Sequence, residues 1–197
     1  MTFSTDSYLK RLLELVEPFR EKRSEEIRIF AERILEAKRV FIVGNGGSLA
    51  SASHFAEDLL VAGVSAQAVT DSAYLSMASN DNNFSVAFNP YIRSWCTKED
   101  AVIGISTSGN SANVINALQD CPGIRLALVG VYGSLLAGYC NTPRGFRIEV
   151  GTVSDPGRTE VRLAEDVHSI LCHMISEYIR AANGMEVKRL HESRIGR

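Results

Sequence analysis

The chain has 197 residues and a mass of 21.6 kDa, which favours one domain or one domain with a helical extension. Hydrophobic residues make up 45% and charged residues 22%, so global disorder is excluded. A net charge of −2 gives no general attraction to nucleic acid or to an anionic membrane. No stretch approaches the roughly 18 apolar residues that a membrane span needs, and the N-terminus lacks a signal-peptide pattern. We therefore expect a soluble, cytoplasmic protein.

The N-terminal region, residues 1–37, has the periodicity of amphipathic helices. Apolar residues recur every three or four positions from Asp6 to Ala37, with charges between them. Pro18 should break this run near its middle, because proline lacks the backbone N–H and clashes with the preceding turn. The apolar stripe must be buried, and packing against a second copy or against the following domain would both achieve this.

From residue 38 the pattern changes to short apolar runs that alternate with helical segments. We predict strands at 39–43, 66–70, 101–105, 124–130 and 146–150. We predict helices at 48–61, 73–79, 84–98, 111–119 and 159–182, with a short helix after the fourth strand and a turn at 154–157. This alternation predicts an α/β three-layer sandwich with a five-stranded parallel sheet over residues 38–184. A polar and basic tail, 185–197, follows.

The four cysteines are far apart and include no C-x-x-C pair. A disulfide framework or a thiolate zinc site is therefore not expected. We predict four reduced thiols, at Cys96, Cys121, Cys140 and Cys172.

Two loops follow predicted strands, at the edge of the sheet where open parallel sheets bind ligands. The first is GNGGS, 44–48, whose glycines allow a ligand to approach the backbone closely. The second is STSGNS, 106–111, which brings four hydroxyls to the start of a helix. Helix capping needs only one hydroxyl, so we favour a phosphate site. Neither loop matches G-x-G-x-x-G or a P-loop, which disfavours dinucleotides and nucleoside triphosphates.

The segments VGNGGSLASASHFAEDL and GISTSGNSANVI resemble the sugar isomerase (SIS) domain family. The resemblance is closest to the phosphoheptose isomerases, which interconvert sedoheptulose 7-phosphate and D-glycero-D-manno-heptose 7-phosphate, and it covers nearly the whole chain. It implies a flavodoxin-like fold, a homotetramer, bound zinc and a phosphorylated sugar substrate, with no direct binding to nucleic acid. It also implies sugar and phosphate contacts from Asn45, Gly46, Gly47, Ser48, Asn80, Asp81, Ser106, Thr107, Ser108, Ser111 and Glu165.

His54 and Asp58 lie four residues apart, on one face of the predicted helix after GNGGS. Such a pair suits metal binding or acid/base chemistry, although surface pairs with this spacing are common. The resemblance makes His54 a zinc ligand and puts Asp58 where a Glu is usual, as ligand and base. It puts Glu165 where a metal-binding Gln is usual, and His173 where a metal-binding His with an acid/base role is usual.

The predicted ligand set is thus His54, Asp58, Glu165 and His173, with Asp58 or Glu165 as base and His173 as acid. Two imidazoles and two carboxylates suit Zn²⁺ and also tolerate harder divalent ions. Glu165 and His173 are about 12 Å apart along an ideal helix, so both side chains must lean inward to share one ion. Asp166, almost eclipsed with His173, is an alternative partner that would orient it.

His168 points about 140° away from His173 around the same helix. We interpret it as a packing residue or as a group behind the metal ligands, and its ordinary state would be a partly buried, hydrogen-bonded histidine.

Two further functions compete with the heptose phosphate isomerase. The first is an isomerase that carries out the same reaction on another sugar phosphate. The other is a non-catalytic SIS protein, such as a sensor or an adaptor resembling those that bind a bacterial replication initiator. Retention of both imidazoles, His54 and His173, argues against loss of catalysis.

Overall fold

The computed structural model describes residues 4–152 and 158–185. Its strands are β1 (Val40–Gly44), β2 (Ala66–Ala68), β3 (Ala101–Ser106), β4 (Ile124–Val131) and β5 (Phe146–Thr152). Its helices are α1 (Thr5–Val16), α2 (Ser24–Leu35), α3 (Gly47–Val61), α4 (Ser72–Asp81), α5 (Asn89–Trp95), α6 (Ala112–Asp120), α7 (Leu135–Tyr139) and α8 (Arg158–Ala182). The predicted turn at 154–157 and the tail from 186 onward lie outside the described residues.

The five strands form one parallel sheet in the order β2-β1-β3-β4-β5. Alternate strand residues point to opposite faces, and each face has its own apolar core. On one face the strands pack against α1, α2, α3 and α8, as illustrated by Ile42, Ile103 and Phe55. On the other face they pack against α5, α6 and α7, as illustrated by Val43 and Leu118. The predicted α/β three-layer, flavodoxin-like architecture is confirmed.

The N-terminal region folds back onto the same molecule. α1 ends at Val16, a 3-10 turn spans Glu17–Phe19, and α2 begins at Ser24, so the predicted break at Pro18 is confirmed. Both helices contact α8, and α2 also contacts β5. Leu15 is buried there, but Leu9 and Leu13 remain 52% and 65% exposed on the outer side of α1. The protomer thus covers only part of the predicted apolar stripe.

The single helix predicted over 84–98 is wrong. A 3-10 turn spans Phe84–Val86, and α5 begins only at Asn89. Pro90 lies in the first turn of α5, where its missing N–H costs nothing, so it favours a new start over a continuous helix. β2 is also shorter than the predicted 66–70.

All four cysteines are buried free thiols, which confirms the prediction. Cys96 and Cys121 lie close together in the core beneath α5 and α6, with 3.8 Å between their sulfur atoms. Among the described helices, none is both long enough and apolar enough to cross a membrane.

Candidate functional site

The two predicted ligand loops lie side by side at one edge of the sheet. β1 and β3 are neighbouring parallel strands, and Gly44 pairs with Ile105 in the register. After β1 the chain crosses to β2 on one side of β1, and it then returns to form β3 on the other side. The order of the strands reverses between β1 and β3, so the two loops meet at the topological switch point. In open α/β sheets this crevice is the usual position for a ligand.

The first loop has a backbone that requires glycine. A Cβ on Gly44 would lie 2.8 Å from the backbone carbonyl carbon of Ser48, so a side chain cannot fit without moving the turn. Gly46 has φ +53°, a left-handed conformation that favours glycine. These two glycines hold Asn45 and the start of α3 close to the strand end.

The second loop uses its hydroxyls within the loop and does not cap the helix. Ser111 is the residue before α6, yet its side chain makes no capping hydrogen bond. Its Oγ lies 3.2 Å from the Oγ of Ser106, which also accepts the Gly109 N–H at 3.0 Å. The Oγ of Ser108 accepts the Asn110 N–H. The two clustered hydroxyls beside a helix N-terminus form a set of donors suited to an anion.

An amide pair joins the two loops. Asn45 Nδ2 donates to Asn113 Oδ1 at 2.9 Å, and Asn113 Nδ2 donates to Asn45 Oδ1 at 2.8 Å. Asn113 lies in the first turn of α6 and is 2% exposed. The sequence analysis missed this residue, and the available signal was its position in the motif GISTSGNSANVI, two residues after the loop at 106–111.

A second group of functional side chains lies in the seam between α3 and α8. His54, Asp58 and His173 each offer a ligand atom, and these atoms all lie within 4.8 Å of one another. The Asp58 carboxylate lies between the imidazoles: Oδ1 is 3.9 Å from His54 Nε2, and Oδ2 is 3.8 Å from His173 Nε2. The two rings approach edge to face, with centroids 5.1 Å apart.

The chemistry of this trio fits a divalent metal ion. Asp58 Oδ2 is buried and has no hydrogen-bond partner among the described residues, which is costly for a carboxylate oxygen unless another group binds it. The two imidazoles are more than half exposed, so one side of the trio is open. Two histidines and one carboxylate form a familiar protein ligand set for catalytic zinc.

The structure does not bring Glu165 into this trio. It lies two turns before His173 on α8, and its carboxylate is directed at Gly47, where an added Cβ would meet Oε1 at 2.3 Å. Eight residues of regular helix separate Glu165 from His173 by about 12 Å, and neither side chain leans far enough to close that gap. Burial, and secondly the charge of Asp166, raises the pKa of the Glu165 carboxyl.

Two interpretations of the last helix need correction. Asp166 accepts a 2.5 Å hydrogen bond from the hydroxyl of Tyr8 in α1, so it joins two helices and does not orient His173. His168 is fully buried, and neither of its ring nitrogens forms a hydrogen bond of normal geometry with the described residues. It is therefore a fully buried packing residue, with at most a weak contact to the Val129 backbone. Burial lowers its pKa to about 4, an effect that the nearby Val129 backbone offsets only in part.

The remaining predicted sugar contacts, Asn80 and Asp81, lie in the last turn of α4. Both are exposed, and Asn80 Nδ2 donates to Asp81 Oδ1. Within the protomer, this turn makes no side-chain hydrogen bond to either ligand loop in the part of the chain that the structure describes.

Comparisons with known proteins give a consistent result. The family model described as "SIS domain" matches residues 7–133. A phosphoheptose isomerase from Fusobacterium nucleatum is 30% identical over 185 residues, which cover 89% of this chain and 90% of the relative. The solved phosphoheptose isomerase from Neisseria gonorrhoeae superposes with a TM-score of 0.78 at 27% identity, over 89% of this chain and 96% of that chain. One from Francisella tularensis gives 0.80 at 21% identity, over 91% and 100%, and so supports the fold.

Proposed function

Because the chain belongs to the SIS domain family, and within it to the phosphoheptose isomerases, we propose that it is an aldose–ketose isomerase acting on sedoheptulose 7-phosphate. The product would be D-glycero-D-manno-heptose 7-phosphate. The observation that carries the proposal is the trio His54, Asp58 and His173, which combines a carboxylate base with an imidazole acid in one open seam.

We propose that the loop at 106–111 binds the phosphate and that the loop at 44–48 contacts the sugar. Ser106, Thr107, Ser108 and Ser111 supply hydroxyls around the N-terminus of α6, where the helix dipole favours an anion. Asn45, Gly46, Gly47 and Ser48 line the neighbouring strand end, together with the carboxyl of Glu165, and Asn80 and Asp81 complete the proposed contacts.

His54, Asp58 and His173 are the residues that would hold a divalent metal, with Zn²⁺ as the first candidate. Glu165 remains a proposed substrate contact and is no longer proposed as a metal ligand. When bound, such an ion would polarise the sugar carbonyl and lower the energy of negative charge on its oxygen.

The proton transfers follow from the side chains. Asp58 is the proposed base that removes the proton from the carbon next to the carbonyl, which leaves an enediolate. Returning the proton to the other carbon completes the exchange between C1 and C2. His173, with its Nε2 3.8 Å from Asp58, is placed to pass the hydroxyl proton between O1 and O2. Glu165, with a raised pKa, is the alternative base from the sequence.

The surface of the protomer supports an oligomeric enzyme. Exposed apolar side chains, among them Leu9, Leu13, Leu60 and Val61, remain on the outside of the protomer. A homotetramer is proposed because neighbouring copies would cover these side chains. A cytoplasmic location is a separate proposal, from the sequence.

The deciding experiment is an NMR or coupled assay with sedoheptulose 7-phosphate, with zinc added and with a chelator. We expect zinc-dependent turnover that His173→Ala abolishes without a change in the circular dichroism spectrum. The control is Glu99→Gln, which removes an exposed carboxylate before β3, at the opposite edge of the sheet from the ligand loops, and should leave turnover intact.

Two results would redirect the assignment. Binding of the sugar phosphate without turnover would indicate a different sugar phosphate substrate or a sensor. Failure to bind any sugar phosphate would refute the isomerase and favour the adaptor.

A further inference from the structure

The amide pair between the loops fixes the orientation of Asn45. Asn113 Oδ1 accepts two hydrogen bonds, one from Asn45 Nδ2 at 2.9 Å and one from the Val114 N–H at 3.0 Å. Because both acceptor positions of Oδ1 are used, a half-turn rotation of the Asn113 amide would break both of these hydrogen bonds. Its Nδ2 must then face Asn45 Oδ1, where the bond length is 2.8 Å.

This arrangement leaves Asn45 with one free N–H and one free acceptor position on Oδ1. In the cyclic pair, Asn45 uses one of its two N–H groups and one acceptor position on Oδ1. Its amide plane is held by a buried partner, so the second N–H has a constant direction at the switch-point crevice. A preorganised donor contributes more to binding than a mobile one, because its rotational freedom is already restricted.

We infer that Asn113 is a positioning residue: it orients Asn45 toward the sugar and keeps the loop at 44–48 in register with the phosphate loop at 106–111. The inference rests on the proposed function, since it assumes that Asn45 contacts the sugar. Asn113 itself is only 2% exposed, so in this proposal it acts through Asn45 and makes no contact of its own with the sugar.

A second buried asparagine provides the matched control. Asn89 is 7% exposed, and its Nδ2 donates to Asp120 Oδ2 at 2.5 Å. It joins the start of α5 to the far end of α6, away from both ligand loops. Asn89→Ala therefore removes a buried amide of the same kind without disturbing Asn45.

The experiment is a double-mutant cycle in the steady-state kinetics of sedoheptulose 7-phosphate, using Asn45→Ala, Asn113→Ala and the double variant. We expect Asn113→Ala to raise KM about tenfold, the effect of one net hydrogen bond, with kcat changed less than threefold. If Asn113 acts through Asn45, the double variant is no worse than Asn45→Ala alone. Asn89→Ala should leave KM unchanged.

Additive effects in the cycle, or the same KM for Asn113→Ala and Asn89→Ala, would overturn the inference. If Asn113→Ala does not fold, Asn113→Asp takes its place in the cycle, because it keeps both acceptor bonds on Oδ1 and replaces the donation to Asn45 Oδ1 by repulsion between two oxygen atoms. Its prediction is the same rise in KM and the same non-additivity.

The outcome separates the two proposals. If the wild-type protein binds sedoheptulose 7-phosphate but does not turn it over, the isomerase proposal fails alone, and the cycle is then measured as calorimetric dissociation constants in chelator. If the wild-type protein neither binds nor turns over this sugar phosphate, both proposals are refuted.

Discussion

The buried imidazole of His168 makes the stability of this protein depend on pH. In the folded chain its pKa is about 4, chiefly because burial disfavours the charged form, whereas an unfolded chain has a pKa near 6.5. Below pH 6.5 the unfolded state therefore binds a proton that the folded state refuses. The free energy of unfolding falls as the pH drops from 6.5 to 4 and is then constant with respect to this group.

The magnitude follows from the two pKa values. They differ by about 2.5, and each pH unit in that interval contributes about 1.4 kcal/mol, which gives about 3 kcal/mol in total. Most of this effect is present at pH 5, where the loss relative to pH 7.5 is about 2 kcal/mol. The side chain is fully buried, so screening by solvent does not reduce these values.

The assay is urea unfolding at pH 7.5 and pH 5 of the wild type and of His168→Leu. The leucine variant cannot take up this proton, so we expect the wild type to lose about 2 kcal/mol more than the variant between the two pH values. Comparing the two proteins removes the contributions of the other histidines. Equal losses in both proteins would refute the reasoning, because His168 would then be charged or solvated in the folded state.

Two further predictions concern the site. Gly44→Ala should destabilise the protein by about 2 kcal/mol in urea unfolding, because its Cβ meets the Ser48 backbone. The control Gly138→Ala, whose Cβ has nothing within 4 Å, should be neutral or slightly stabilising. Equal effects of the two substitutions would show that the turn relaxes. Asp58→Asn should weaken zinc binding at least about 100-fold in a chelator competition titration, because it removes a proposed ligand, and an unchanged affinity would place the metal elsewhere.

Much of the fold could be predicted from the sequence because each local pattern agrees with the global architecture. Continuous apolar runs are typical of strands buried on both faces, and the parallel sheet follows from their alternation with helices. The failure at 84–98 has a local cause. The periodicity of the apolar residues continues through the segment, but Pro90 and the preceding 3-10 turn interrupt the backbone.

Without the family resemblance, helix geometry predicts only those members of the trio that are close in sequence. His54 and Asp58 are one turn apart, so helix geometry alone places them together. The contact of Asn45 with Asn113 spans 68 residues and depends on the adjacency of β1 and β3 and on two side-chain rotations. No periodicity in the sequence predicts such a contact. A family motif gives the residues and their spacing but not the contacts that they make.

The structure also separates two sequence departures that seem coupled when read along the chain. An aspartate stands where the family has glutamate, and a glutamate stands where it has glutamine, which suggests an exchange of length and charge within one metal site. Asp58 nevertheless remains within reach of both imidazoles, while Glu165 lies against Gly47. The second change therefore does not compensate for the first.

We propose that the close approach of α3 and α8 compensates for the shorter acid instead. Ser51 on α3 and Ser169 on α8 lie in contact, with 3.2 Å between their hydroxyl oxygens, one turn before the trio. Small side chains at a helix interface allow the backbones to come close. In such a seam a carboxylate with one methylene less still reaches His173, and Asp58 Oδ2 does so at 3.8 Å. The packing of α3 against α8 thus holds Asp58, the proposed base, beside His173.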